Sequence, residues 1–142
     1  MPGYSGTPLP KKLGIKSGAR VALLNMPANV RGELKSALAT CKVLSGDEKS
    51  LDFISLFVNS QRELKKNFSQ VSRQLAPCGM LWVSWPKKSS GLASDLDENI
   101  VREIGLNAGL VDVKVCAVDD VWSGLKFVFR LKDRPAKSPA RK

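Results

Sequence analysis

Six residues of this sequence have the types and positions to hold a phosphate or a nucleobase. Asn25, Asn59, Ser84, Trp85, Lys87 and Lys88 lie at or just past the ends of apolar runs of strand length. An indole beside two ammonium groups can stack on a base and attract a phosphate. The plainer reading takes Trp85 as a packing residue and Lys87 and Lys88 as a solvated turn, and the residues favour it. Asp119 and Asp120 offer a second pairing, for a divalent cation or for acid–base work. Neighbours in an extended segment point to opposite faces, so at most one of the two can face a given site. Turn chemistry accounts for both acids more simply.

The other reactive groups point away from chemistry. There is no histidine. That excludes a Ser-His-Asp triad, a His general base and any His-ligated metal. The three cysteines, Cys41, Cys78 and Cys116, have no ligand spacing, so no metal site is expected. Cys78 is read at a helix C-terminus, where the dipole disfavours a thiolate. Cys41 and Cys116 alternate with apolar residues and are expected to be packed. Ser5-Gly6-Thr7 near Lys11 and Lys12 could hold an anion at a helix start, with simple capping as the default.

These groups must be carried by regular elements, which alternate along the chain. Thr7-Pro8 reads as an N-cap followed by proline at the first helical position. Arg20 to Asn25, Asp52 to Val58 and Met80 to Trp85 are short apolar runs of the kind a doubly buried strand shows. Cys41 to Leu44 reads as a short strand. Val30, Leu34, Ala37 and Leu38 predict a helix over residues 29–40. Ser60-x-x-Glu63 is a capping box ahead of the stripe Leu64, Phe68, Val71 and Leu75. Asp95-x-x-Glu98 reads as the cap of a further helix. Val111 to Ala117 and Leu125 to Leu131 alternate with period two, which predicts a hairpin. Strand–helix repeats closed by a hairpin give an α/β three-layer sandwich. Its mostly parallel sheet has five to six strands and an antiparallel C-terminal hairpin.

In such sheets ligands sit past the carboxyl ends of the strands, where the strand order reverses. The loops at residues 25–29, 58–60 and 84–90 should meet there. That is what gathers the six candidate residues.

The chain carries 23 basic and 13 acidic residues, for a formal charge of +10 over 142 residues. Residues 132–142 hold +4 of this, leaving about +6 on residues 1–131. The expected organisation is one domain over 1–131 and a basic, disordered tail over 132–142. A solubilising tail is the favoured reading, with weak nucleic-acid or polyanion contact as the sharper one. No apolar run is long enough for a membrane span. Unpaired cysteines without a secretion signal point to a cytoplasmic protein. Oligomeric state is open: an edge strand at Leu125 to Leu131 could pair with a copy, and Lys126 and Arg130 would oppose this.

The passage Gln74-Leu75-Ala76-Pro77-Cys78-Gly79-Met80-Leu81, the Ala108-Gly109-Leu110 helix end and the Trp122 hairpin resemble the second half of class I S-adenosylmethionine-dependent methyltransferases. Leu13 to Val21 resembles the approach to their first strand. The resemblance implies a Rossmann-like fold. The chain also resembles a bacterial family of small domains of unknown function, through Gly3-Tyr4-Ser5-Gly6-Thr7-Pro8, Trp85-Pro86-Lys87-Lys88 and Val121-Trp122-Ser123-Gly124-Leu125-Lys126.

Two departures shape the functional expectation. Methyltransferases place a glycine-rich loop after the first strand, and here stands Asn25-Met26-Pro27-Ala28-Asn29. They place an acid after the second strand, and here Asp47 and Glu48 fall in that region, with one strand–helix unit missing. The expectation is a degenerate, truncated domain without a cofactor, acting by binding or assembly rather than catalysis. The alternatives are a protein that binds S-adenosylmethionine or a nucleotide, and a nucleic-acid-associated accessory protein.

Overall fold

A computed structural model describes residues 7–130. The elements are α1 (Leu9–Leu13), β1 (Arg20–Leu24), α2 (Ala28–Glu33), α3 (Lys35–Leu38), β2 (Lys42–Leu44) and β3 (Leu51–Phe57). There follow α4 (Gln61–Gln74), β4 (Leu75–Pro86), α5 (Glu98–Asn107), β5 (Leu110–Ala117) and β6 (Trp122–Phe129). They form a six-stranded sheet in the order β2-β1-β3-β4-β6-β5. The first four strands of that order are parallel, and β6 runs antiparallel between β4 and β5, as the α/β reading with a C-terminal hairpin expects.

The sheet is covered on both faces because its central strands are apolar on both. In β3 every residue but Asp52 is buried. Ile54 and Leu56 pack with Leu64, Phe68 and Val71 of α4 and Val101 of α5. Phe53 and Phe57 pack on the other face with Leu9 and Leu13 of α1 and Val30 of α2. The Trp82 indole N–H, buried in that second layer, donates to the Leu13 carbonyl at 2.8 Å, which anchors the end of α1 on the sheet.

Between β2 and β3 lie only residues 45–50, with no helix or strand. The sheet therefore ends at β2, three residues long, with Val43 40% exposed. This is where the expected strand–helix unit is missing.

Several local expectations are corrected. The helix over residues 29–40 is two helices, joined at Leu34 with φ −94° and ψ −1°. Leu34 is fully buried, so packing fixes the bend. Thr7 does not cap α1; Pro8 occupies the N-cap, with no side-chain hydrogen bond. Asp97, not Asp95, caps α5 by accepting from Ile100 N at 2.9 Å. Asp95 instead accepts from Gln61 N at 2.8 Å, joining the starts of α4 and α5.

Strand β4 begins at Leu75, directly after α4, so Cys78 is an exposed strand residue rather than a helix end. The edge strand of the hairpin is β5, and β6 lies inside the sheet between β4 and β5. A register shift between Asp112 and Lys114 interrupts the alternation of β5, and on this edge strand Val113 and Val115 are exposed instead of buried. Trp122 opens β6 and packs edge-on to Phe57, with ring centroids 5.0 Å apart, rather than sitting in the turn. The expected basic tail, the end of the Leu125 to Leu131 run and the Gly3 to Gly6 segment lie outside the described residues.

Candidate functional site

Strand order reverses between β1 and β3: the chain runs from β1 to its neighbour β2 on one side, then returns to place β3 on the other. The crevice past their carboxyl ends is the place where open α/β sheets bind ligands. Leu24 is paired with Leu56, so residues 25 and 57 lie side by side there.

Asn25 makes the turn out of β1 with φ of 60°. That left-handed conformation is costly for most side chains, and Asn is among the few that accept it without a glycine's freedom. Its amide donates to the Phe57 carbonyl at 3.3 Å, tying the ends of β1 and β3 together. Pro27 then sits at the N-cap of α2. Val58 N donates to the Ser84 carbonyl at 3.0 Å, which continues the line of strand ends to β4. Asn59 lies exposed just before the start of α4. Ser60 accepts from Glu63 N at 3.1 Å, and Glu63 accepts from Asn59 N at 3.2 Å, so the capping box fixes this loop.

The β5–β6 turn closes the other side. Asp119 is buried to 9% exposure. It accepts from Val121 N and Trp122 N, each at 2.8 Å, and from the Asn29 amide at 3.2 Å. These bonds hold the first turn of α2 against the hairpin. Asp120 is exposed. Among the described residues no group of His, Cys, Asp or Glu is placed to hold a metal.

The six predicted residues are thus divided. Asn25 and Asn59 are exposed at the carboxyl ends of β1 and β3, and Lys87 and Lys88 follow β4 on the same edge. Lys87 N donates to the Val121 carbonyl at 2.7 Å, and Lys88 opens a short 3-10 turn, Lys88–Ser90. Ser84 and Trp85 are buried within β4. Trp85 packs among Leu81, Val83, Leu96 and Leu125, so its ring faces the α4–α5 layer rather than a ligand.

The acids after β2 are elsewhere. Glu48 pairs with Arg20 at 3.4 Å, and the Gln74 amide donates to the Gly46 and Glu48 carbonyls at 2.9 and 2.7 Å. Arg20 opens β1 and Gln74 ends α4, so this loop lies at the amino-terminal side of the sheet. Strand β2 pairs only with Arg20, Val21 and Ala22, which stops it short of the crevice.

Cavities outlined by the described residues include the following. One of about 300 Å³ lies at the amino ends of the strands, beside Lys16, Asp52 and Cys78. One of about 540 Å³ runs along α2, α3 and the β2 edge. One of about 260 Å³ lies between α4 and α5. None of these three is lined by any of the six predicted residues. Of the cysteines, Cys116 is half-buried, and burial pushes its thiol above the usual range while Lys12 and Lys114 oppose this.

No family model and no curated protein matches the sequence. Solved structures do match in fold. A SAM-dependent methyltransferase from Aquifex aeolicus aligns at TM-score 0.57 and 17% identity, over 82% of this chain and 85% of that one. A putative type 11 methyltransferase from Sulfolobus solfataricus aligns at 0.54 and 16%, over 88% and 91%. Magnesium protoporphyrin IX methyltransferase from Synechocystis PCC 6803, solved with bound SAH, aligns at 0.58 and 12%, over 86% and 78%.

The expectation of a domain without a cofactor is corrected by these neighbours, some of which were solved with SAM or SAH in place. That expectation leaned on the missing glycine after β1. The left-handed turn that glycine would serve is made here by Asn25. The second departure stands, because neither Asp47 nor Glu48 comes from a loop that reaches the crevice. With its parallel core, its reversal beside β1 and its antiparallel closing hairpin, the chain has the Rossmann-like fold of class I SAM-dependent methyltransferases.

Proposed function

We propose that this protein binds S-adenosylmethionine, or its demethylated product, at the carboxyl ends of β1 and β3. The observation that carries this is the fold likeness to SAM-dependent methyltransferases over 82–88% of the chain, with a strained polar turn at the point of strand reversal. Asn25 and Asn59 approach that point from β1 and β3. Each amide can donate and accept, which is what ribose hydroxyls require. Lys87 and Lys88 offer cations for the carboxylate of the amino-acid portion. When bound, the cofactor supplies a methyl group on a sulfonium, an electrophile that needs a positioned acceptor.

Asp119 has three donors on it, so its part is to position Asn29 and the hairpin. Binding without turnover is the narrower form of this reading. It is supported by the lack of histidine and by that commitment of Asp119.

Titration calorimetry with SAM and SAH tests the proposal. Saturable binding at about 100 μM or tighter, roughly −5.5 kcal/mol, is expected. Asn25→Gly keeps the turn and removes the amide, and should weaken binding by about 1 kcal/mol, or roughly fivefold. No saturable heat with either compound would overturn the reading.

A further inference from the structure

Helix α4 presents an outer face with charge of one sign. Its exposed residues are Arg62, Lys65, Lys66, Ser69, Gln70 and Arg73. Its one acid, Glu63, is turned back onto Asn59 N. Among the described residues the ion pairs are Arg20–Glu48, Arg102–Glu98 and Arg102–Asp112, so none of the α4 cations is paired.

The needs of the helix do not explain this face. Arg62 stands in its first turn, where the macrodipole disfavours a cation, and Lys65 and Lys66 follow in the second. Arg62 and Lys66 are four apart and repel on the same side of the helix. The adjacent α5 shows the ordinary arrangement. There Glu98 opens the helix, and Arg102 meets Glu98 at 2.6 Å and Asp112 at 2.8 Å. A helix that only needed solubility would look like α5.

We propose that the exposed face of α4 is a docking surface for the phosphodiester backbone of a nucleic acid. The charge complementarity is direct: four unpaired cations, a hydroxyl and an amide, with no exposed acid among them. At 14 residues the helix is about 21 Å long, enough to follow roughly six steps of one strand. This surface lies on the α4–α5 layer and does not depend on cofactor binding at the strand ends.

The test uses the full chain, with a random-sequence DNA duplex and a single-stranded RNA as probes, read by fluorescence anisotropy across a salt series. One variant carries Arg62→Gln, Lys65→Gln, Lys66→Gln and Arg73→Gln. A control of equal charge change carries Lys11→Gln, Lys35→Gln, Lys42→Gln and Lys49→Gln. The α4 variant should bind at least about tenfold more weakly, with a slope of log K against log salt shallower by about 3 to 4. The control should keep its slope within about 1 of the parent. Equal losses in the two variants would make net charge the cause and overturn the proposal. Absence of binding by the parent, or its binding only to phosphatidylserine vesicles, would also overturn it. Acetylation footprinting of the parent checks the same face without substitution. Nucleic acid should protect Lys65 and Lys66 more than Lys11 and Lys42, and equal protection would contradict the assignment.

Discussion

Asn25 concentrates the residue-scale account. It sits in a left-handed turn at φ 60° and its side chain holds the Phe57 carbonyl. Asn25→Val puts a β-branched side chain into that conformation and should cost about 1–2 kcal/mol, read as a lower urea midpoint at unchanged slope. Asn25→Gly should stay within about 1 kcal/mol of the parent, because only the hydrogen bond is lost. Equal destabilisation by both would mean that the backbone conformation is not what Asn25 provides. The sequence marks Asn25 as a loop residue at a strand end, but not its backbone angle. That angle follows from pairing β1 with β3 and from starting α2 at Pro27. Trp85 was legible in the opposite sense. Its parity along β4 is that of Leu81 and Val83, so the strand's alternation places it in the core. Asp119 was legible as a turn residue, whereas its bond to Asn29 joins residues 90 apart in the chain, which local pattern cannot show.

At the scale of elements, local signals held where the chain satisfies itself and failed where packing decides. The Ser60 capping box is closed by neighbours in sequence and could be read directly. Asp95 and Asp97 are both suitable caps, and the contact of Asp95 with Gln61 selects between them. In β5 the alternation of valines predicted a buried face, but β5 is the sheet edge and a shift against β6 breaks the alternation at Val113, so Val113 and Val115 stay exposed, Val115 even though it lies opposite the buried Leu125. Helix α5 holds a similar reversal. Gly105 lies mid-helix, where propensity alone says that alanine would gain about 1 kcal/mol. A Cβ there would collide with the Phe127 ring, which is fully buried. Gly105→Ala is therefore expected to destabilise by about 1–3 kcal/mol in thermal unfolding. A raised melting temperature would show that α5 can move away from β6 freely.

At the scale of the whole molecule, the sheet stops at β2 and the connection to β3 is too short for another strand and helix. The α/β class was legible in the order and lengths of the apolar runs, and the shortened sheet only by comparison with the family the chain resembles. The cofactor question was not, because it turned on what a loop does rather than on which residues it contains. Of the charge of +10, residues 132–142 carry +4, and among the described residues α4 is where cations form a face unexplained by the fold. The central claim is that the crevice between β1 and β3 holds S-adenosylmethionine or its product. Amide chemical-shift mapping of the full chain titrated with SAH tests it most directly. Saturable shifts concentrated at residues 24–29 and 57–60 are expected. Shifts confined to the β2 edge around Arg31, Lys35 and Val43, or to residues 14–19 at the amino ends, or no saturable shifts at all, would contradict it.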